Sequence, residues 1–145
     1  MNLRLCTLAD AARIQAINST VFGHEYPTDK TAQRLACLLQ RESDRIYVAE
    51  VDGVVAGYVH VADYELTYYD PMKNIMSIAV DKRFQGRGIG KQLLLKAEEW
   101  CIAEGACGIR LVSGANREDA HAFYIKMGYT QRSDQRNFII ALPRQ

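Results

Sequence analysis

Long apolar runs and an excess of charge of one sign are both missing from this 145-residue chain. Its 18 Lys and Arg residues nearly balance 17 Asp and Glu residues, which gives a formal net charge of +1. General nucleic-acid-binding domains usually carry a basic excess, so we expect no nucleic-acid partner. No stretch approaches the roughly 18 apolar residues of a membrane span, and residues 1–5 lack the extended apolar region of a signal peptide. We therefore expect a cytoplasmic protein without a membrane partner.

Paired cysteines are missing as well. The four cysteines form no Cys-x-x-Cys pair and have no histidine at the spacing of a zinc site. We expect no metal site and interpret these thiols as small buried hydrophobic groups that stay reduced in the cytosol, with a nucleophilic cysteine as the alternative. The four residues are Cys6, Cys37, Cys101 and Cys107.

Repeats, low-complexity runs and linkers are also absent, while 48% of the residues are hydrophobic. A chain of this length can bury a substantial core within one domain. The sequence therefore predicts a single domain over residues 1–145 and favours small-molecule chemistry.

What the chain does contain is a glycine-rich turn, Gln85-Gly86-Arg87-Gly88-Ile89-Gly90-Lys91. The apolar run 75–80 before it has the length of a strand, and residues 91–100 after it have helical spacing. Glycines let backbone N–H groups converge on one concavity, and the N-terminus of the following helix adds partial positive charge. This order of strand, turn and helix predicts a loop that binds a pyrophosphate.

The spacing within the turn excludes the two best-known glycine motifs. A dinucleotide-binding Gly-x-Gly-x-x-Gly motif would need a glycine at Lys91, and a P-loop would need Ser or Thr at Gln92. The pattern that fits is Gln-x-x-Gly-x-Gly, anchored by Gln85, Gly88 and Gly90.

A second pattern lies downstream, between Asn116 and Tyr129, where an asparagine precedes a predicted helix that ends Phe-Tyr-x-x-x-Gly-Tyr. Together the two patterns resemble the signatures of the GNAT superfamily of N-acetyltransferases, which use acetyl-CoA as the acetyl donor. The resemblance extends over the whole chain, although the N-terminal part matches only in the pattern of elements.

The resemblance and the order of predicted elements imply an α+β, GNAT-like fold. We expect a mixed, mostly antiparallel central sheet of about seven strands flanked by about four helices, with the fourth and fifth strands splayed apart. The expected strands cover residues 2–5, 45–51, 54–64, 75–80, 108–113, 129–132 and 137–142. The expected helices cover residues 8–20, 28–41, 91–100 and 116–127, and residues 65–73 are expected to form a loop.

The resemblance also implies which residues bind acetyl-CoA. Backbone groups of the strand before the turn would hold the acetyl carbonyl and the pantetheine arm, and the glycine turn would hold the pyrophosphate. The implied cofactor-binding residues are Ile78, Ala79, Val80, Gln85, Gly86, Arg87, Gly88, Ile89, Gly90, Lys91, Asn116 and Tyr124.

Tyr124 is the expected catalytic residue, because it matches a tyrosine that many family members place near the CoA sulfur. A phenol with a pKa near 10 can protonate the departing thiolate at neutral pH. The alternatives are that Tyr124 is a plain core aromatic residue and that Asn116 caps the following helix.

No general base is evident, because the strand before the glycine turn lacks the glutamate that many relatives carry there. The routes that remain open are a water relay through Ser77 or Asn74 and an acid from Glu25, Asp63, Glu65 or Asp70. Acidic and aromatic loop residues suit a cationic amine, and the expected substrate-binding residues are Glu25, Tyr26, Asp63 and Glu65.

The leading hypothesis is therefore an N-acetyltransferase that acts on a primary amine of a small molecule, peptide or protein by direct attack in a ternary complex. The alternative is a non-catalytic acyl-CoA-binding or regulatory module, which only the missing glutamate favours. A nucleotide-binding module unrelated to CoA is a third hypothesis, and both failed glycine motifs argue against it. Family members are often dimers, so the resemblance leaves a homodimer open, and the sequence does not decide the oligomeric state.

Overall fold

The structure is a computed structural model that describes residues 1–144. Its strands are β1 (Asn2–Leu5), β2 (Asp44–Val51), β3 (Val54–Leu66), β4 (Tyr69–Val80) and β5 (Ile109–Arg110). Its α-helices are α1 (Ala11–Ile17), α2 (Thr28–Leu38), α3 (Ile89–Ala103) and α4 (Glu118–Lys126). Contacts divide the chain into two compact units, one ending at Val112 and the other beginning at Ser113, and each is described by itself.

The first unit contains a sheet with the strand order β1-β2-β3-β4-β5. Neighbouring strands are antiparallel except for β4 and β5, which run parallel. β2 and β3 form a hairpin around Asp52 and Gly53, whose φ angles of 51° and 76° are those of a tight hairpin turn. The expected mixed and mostly antiparallel sheet is confirmed.

Helices pack on both faces of this sheet. Tyr58 of β3 belongs to a buried cluster with Ile14 of α1 and Leu35 of α2. Gly57, the preceding residue, lies against Leu93 of α3. Because successive residues of a strand point to opposite faces, α1 and α2 cover one face and α3 covers the other.

The expectation of about seven strands is wrong, since the sheet has five within residues 1–144. Residues 129–132 and 137–142, expected to close the sheet, form neither strand nor helix. The apolar sequence around Phe138 and Ile139 indicates only a local preference for extended structure, whereas a strand also needs a neighbouring backbone to pair with. These two side chains are 87% and 98% exposed.

The expectation of a loop at residues 65–73 is also wrong. β3 and β4 continue through this region as a long hairpin with Thr67 and Tyr68 at its turn. Leu66 pairs with Tyr69 at the end of this ladder. The exposed, acidic and proline-containing sequence is typical of a loop, but pairing with a neighbouring strand overrides that local preference.

Several other boundaries differ from the expected ones. The first expected helix is divided into a 3-10 turn at Leu8–Asp10, α1, and a π-helical turn at Asn18–Phe22. The fifth strand is shorter than residues 108–113, because only Ile109–Arg110 pairs with β4.

Cys6 and Cys101 are buried, whereas Cys37 and Cys107 are exposed, so the expected burial is wrong for the latter two. Burial raises the pKa of Cys6 to about 12 and the pKa of Cys101 to about 11. Both thiols are therefore un-ionised at neutral pH, which argues against a nucleophilic role for either.

In the described part of the chain, no group of three or more His, Cys, Asp and Glu side chains could hold a metal ion. No helix among the same residues is long and apolar enough to cross a membrane.

Candidate cofactor and catalytic site

β4 has an open edge along its last residues. Its pairing with β5 ends at Asn74, whereas its pairing with β3 continues to Val80. A register shift leaves Met76 without a partner in β3, and such a bulge bends a strand and re-aims its backbone. Within residues 1–144 no strand pairs with Ile78–Val80 on the side that faces away from β3. An extended ligand can therefore add along this edge as a further strand.

The glycine turn follows this edge and opens toward solvent. Gly86 and Gly88 have φ angles of 80° and 78°, a left-handed conformation that glycine adopts without strain. An ideal Cβ on either glycine would meet no atom within 4 Å. Gly88 is the N-cap of α3, whose first N–H groups have no acceptor within the helix. Open space and a helix N-terminus without a side-chain cap fit a bound pyrophosphate.

Basic and polar side chains of the turn support the same interpretation. The guanidinium groups of Arg83 and Arg87 lie 5.6 Å and 5.3 Å from the ring centroid of Phe84. The Gln85 side-chain amide donates a hydrogen bond to the Val80 carbonyl at 3.1 Å, which ties the turn to the end of β4. Arg87 and Gln85 are exposed and lie within the predicted pyrophosphate loop.

Asp81 connects the start of the turn to the rest of the first unit. Its carboxylate accepts hydrogen bonds from the Arg83 N–H at 2.9 Å and from the Arg13 guanidinium at 2.7 Å. Arg13 also donates to the Val55 carbonyl at 2.9 Å. The Arg83 side chain above all, and then the Arg83 N–H and Arg13, hold the pKa of Asp81 well below its usual range. Arg13 of α1 is thereby joined to β3 and to the residue that follows β4.

Asp81→Asn should weaken the fold at pH 6 and have a smaller effect at pH 3. A carboxylate with a lowered folded-state pKa contributes stability above its unfolded pKa of about 4, and that stability is lost as the pH falls through the folded pKa. We expect a loss of about 1–2 kcal/mol in unfolding free energy at pH 6, from the lost charged hydrogen bonds. Urea unfolding at both pH values measures this, and an equal difference at both would contradict the assignment.

Gly57 allows β3 to approach β4 closely. A Cβ on Gly57 would lie 2.8 Å from the Ala79 carbonyl oxygen and 3.2 Å from Leu93 Cδ1. The backbones of β3 and β4 must therefore move apart in Gly57→Ala, and the Leu93 side chain must also give way. We expect the unfolding free energy to fall by about 1–3 kcal/mol, as in other overpacked cores, and urea unfolding measures it. A variant as stable as the wild type would show that the ladder accommodates the methyl group.

Polar side chains form a line across the α1–α2 face of the sheet. The Tyr58 hydroxyl donates a hydrogen bond to Asn18 Oδ1. Burial raises the pKa of Tyr58, and hydrogen bonding with Ser77 and Asn18 partly offsets this effect. His60 lies two residues further along β3, directly opposite Ser77, and its Nε2 lies 2.6 Å from Asp44 Oδ2. No sequence motif indicates this line, although the two-residue spacing of Tyr58 and His60 on a strand predicts a shared face.

The two residues named for a water relay differ in what they bind. Asn74 is buried, and its Oδ1 accepts a hydrogen bond from Arg110 at 2.8 Å while its Nδ2 contacts the Met76 sulfur at 3.0 Å. Its amide is therefore engaged in packing at the point where β4 and β5 separate. Ser77 is half-buried and lies next to the open edge, so it is the better placed of the two.

The second unit contains two further predicted site residues, Asn116 and Tyr124. Arg117 is the N-cap of α4, so Asn116 lies one residue before the capping position and is exposed. Tyr124 is half-buried, and its ring centroid lies 6.1 Å from that of Tyr129. Burial raises the pKa of Tyr124. Its phenol therefore keeps its proton at neutral pH, as a general acid must.

The predicted acceptor residues lie on separate elements. Glu25 and Tyr26 are in the exposed segment between Gly23 and α2, and Glu65 is exposed on β3. Asp63 forms an ion pair with the buried Lys73, so its charge is already matched. Glu25 and Glu65 remain as carboxylates that could meet a cationic ligand.

Comparison with known sequences gives concordant matches. The profile of the acetyltransferase (GNAT) family matches residues 11–129. An uncharacterized N-acetyltransferase of Methanocaldococcus jannaschii is 31% identical over 134 residues, which cover 91% of this chain and 80% of the relative. The aminoalkylphosphonate N-acetyltransferase of Salmonella typhimurium is 28% identical over 130 residues, which cover 89% and 84%. A second uncharacterized N-acetyltransferase of M. jannaschii is 31% identical over 97 residues, which are 66% of this chain. The match spans only 43% of the length of that relative.

Solved structures share the fold at low sequence identity. A transcriptional regulator from Bacillus halodurans has a TM-score of 0.88 at 21% identity, over 96% of this chain and 99% of that one. A putative acetyltransferase from Agrobacterium tumefaciens has a TM-score of 0.86 at 20% identity, over 97% and 100%. An aminoglycoside N-acetyltransferase in complex with CoA has a TM-score of 0.83 at 16% identity, over 98% and 95%.

Proposed function

Because this chain belongs to the acetyltransferase (GNAT) family, we propose that it transfers the acetyl group of acetyl-CoA to a primary amine by direct attack in a ternary complex. Family membership supports N-acetyltransferase activity and the use of an acyl-CoA, and the solved structures share the GNAT-like α+β fold. One observation carries the proposal: the open edge of β4 leads into a left-handed glycine turn at the N-terminus of α3.

Each predicted cofactor-binding or catalytic residue has a proposed role. The backbone of Ile78–Val80 binds the acetyl carbonyl and the pantetheine arm, and the turn from Gln85 to Lys91 binds the pyrophosphate. Asn116 binds the pantetheine arm, and Tyr124 donates a proton to the departing thiolate. Since the family match runs from residue 11 to 129 and crosses the division at residue 112, we propose that residues 1–145 form one domain.

The proposed acceptor is a small amine, with a peptide or protein amine as the second candidate. The names of two proteins similar to this chain, an aminoalkylphosphonate N-acetyltransferase and an aminoglycoside N-acetyltransferase, refer to small molecules that carry amines. Glu25, Tyr26 and Glu65 are proposed to bind a cationic acceptor, because carboxylates and aromatic faces both attract ammonium groups. Asp63 contributes less, since Lys73 already neutralises it.

Calorimetric titration with acetyl-CoA, CoA, ATP and NAD tests the cofactor site first. Binding of acetyl-CoA and CoA but not of ATP or NAD would support the proposal, whereas no binding of acetyl-CoA would overturn it. Release of the CoA thiol with and without a panel of amines then tests catalysis. Tight binding without amine-dependent release across small and peptide amines would favour the alternative, a non-catalytic acyl-CoA-binding module.

A cytoplasmic location stays a prediction of the sequence composition, and a homodimer stays a prediction of the family resemblance. Sedimentation velocity of the full chain, with and without acetyl-CoA, measures the oligomeric state. A single species with the mass of one 16.4 kDa chain would contradict the homodimer.

A further inference from the structure

His60 and Asp44 form an imidazole–carboxylate pair that no sequence motif indicates. His60 Nε2 lies 2.6 Å from Asp44 Oδ2, and the Ser43 hydroxyl donates a hydrogen bond to Asp44 Oδ1 at 2.6 Å. The side chains of His60 and Asp44 are only 14% and 8% exposed. Burial acts to raise the pKa of Asp44, but hydrogen bonds from Ser43 and His60 outweigh it and lower the pKa. Asp44 is therefore ionised at neutral pH.

The ionised carboxylate orients the imidazole ring and selects the tautomer of its neutral form. A carboxylate only accepts hydrogen bonds, so Nε2 of His60 carries the hydrogen that faces Asp44. In neutral imidazole the other nitrogen, Nδ1, then has a lone pair that can accept a proton. No hydrogen bond among residues 1–144 uses Nδ1. An imidazole held by a carboxylate, with its second nitrogen unoccupied, is the arrangement of a general base.

The pair lies beside the strand segment proposed to hold the acetyl group. His60 is directly opposite Ser77 in the antiparallel ladder of β3 and β4. Side chains at such paired positions point to the same face with Cβ atoms about 4.5–5.5 Å apart. Ser77 precedes Ile78, where the open edge of β4 is free to take a ligand. A water held by the Ser77 hydroxyl can extend the path from the imidazole to an acceptor at this edge.

We propose that His60 is the general base, which removes a proton from the acceptor amine directly or through one water at Ser77, and that Asp44 is its positioning residue. This inference rests on the proposed N-acetyltransferase function. It supplies the base that the strand before the glycine turn lacks, since that strand has no glutamate. Neither residue is among the routes that sequence analysis left open.

The proposed step balances in atoms and protons. A primary ammonium gives one proton to His60 Nδ1, and its nitrogen forms the C–N bond to the acetyl carbon while the C–S bond breaks. The departing thiolate takes a proton from the general acid. The nitrogen then loses its second proton, which returns through water to the general acid and restores it. His60 then releases its proton to solvent, so one proton leaves for each acetyl group transferred to an ammonium acceptor.

His60→Gln and His121→Gln are a matched pair that tests this role. Glutamine can still donate a hydrogen bond but cannot take up a proton. In His60→Gln the acceptor of that hydrogen bond is Asp44, and in His121→Gln it is the Gly114 carbonyl, which His121 Nε2 contacts in the wild type. With an aliphatic amine, His60→Gln should lower kcat about 10²-fold, within the usual range for loss of a general base. Its acetyl-CoA Kd and melting temperature should stay close to wild-type values. His121→Gln should keep kcat within about twofold.

Two further readouts separate a base from a structural residue. With an acceptor whose amine is already neutral at the assay pH, the kcat of His60→Gln should be less than about fivefold below that of the wild type, because no proton must be removed before attack. Added imidazole should restore part of the activity of His60→Ala. An equal loss of kcat for neutral and protonated acceptors, or a His60→Gln kcat within threefold of wild type, would overturn the role of His60. Neither result would contradict the proposed N-acetyltransferase function. An inactive wild-type enzyme across the amine panel would instead overturn the proposed function.

Discussion

Gly88→Asp is expected to abolish measurable acetyl-CoA binding, with a Kd at least about 10³-fold above that of the wild type. Gly88 caps α3 with a φ angle of 78°, beside the N–H groups proposed to bind the pyrophosphate. Aspartate adds a Cβ in the concavity and a negative charge next to the ligand's own charges. A 10³-fold loss corresponds to about 4 kcal/mol, which one repelled charge and lost donor contacts can account for. Calorimetric titration with acetyl-CoA measures the change.

Gly105→Asp is the matched control for this substitution. Gly105 follows the C-terminal end of α3, has a φ angle of 74° and, like Gly88, would place a Cβ in open space. Both variants therefore have the same added charge and a similar backbone strain of about 1 kcal/mol. Only the variant in the turn should lose acetyl-CoA binding. If both variants lost it, general destabilisation would be the cause, and if neither did, the pyrophosphate would bind elsewhere.

Local chemistry explains what could be predicted from the sequence. The glycine turn was recognisable because Gly86 and Gly88 adopt a left-handed backbone that few other residues tolerate. The hairpin turn at Asp52-Gly53 was recognisable for the same reason. The apolar run 75–80 indicated a strand, and α3 begins at Ile89, close to the start of the periodic segment. In each case the decisive interactions lie within a few neighbouring residues.

Contacts between distant residues explain what could not be predicted. Asp81 binds Arg13, which lies 68 positions earlier in the chain, and His60 binds Asp44 across two neighbouring strands. The bulge at Met76 depends on how β3 and β4 pair, and no local signal specifies it. Absence of a pairing partner likewise leaves residues 137–142 outside the sheet, despite an apolar sequence that favours a strand. Composition and periodicity indicate the local preference of a segment for helix or strand, whereas pairing between distant strands decides which preference is realised.

Tyr124→Phe is expected to lower kcat about 10²- to 10³-fold while the Kd of acetyl-CoA changes less than about twofold. The substitution removes only the hydroxyl that is proposed to protonate the departing thiolate, and loss of a general acid typically costs 10²- to 10⁴-fold. The aromatic ring and its packing against Tyr129 are retained. Measurements of kcat must use conditions in which chemistry limits turnover, and calorimetry gives the Kd.

The pH dependence of kcat makes this test specific. A general acid works while it is protonated, and burial raises the pKa of Tyr124 above its ordinary value of about 10. Wild-type kcat should therefore persist to alkaline pH and fall only as Tyr124 loses its proton, and Tyr124→Phe should lack that fall. Tyr129→Phe is the matched control, because it removes a hydroxyl from the neighbouring ring and retains the aromatic ring itself. A Tyr124→Phe variant with full kcat, or a Tyr129→Phe variant with an equal loss, would contradict the role of Tyr124 as the acid.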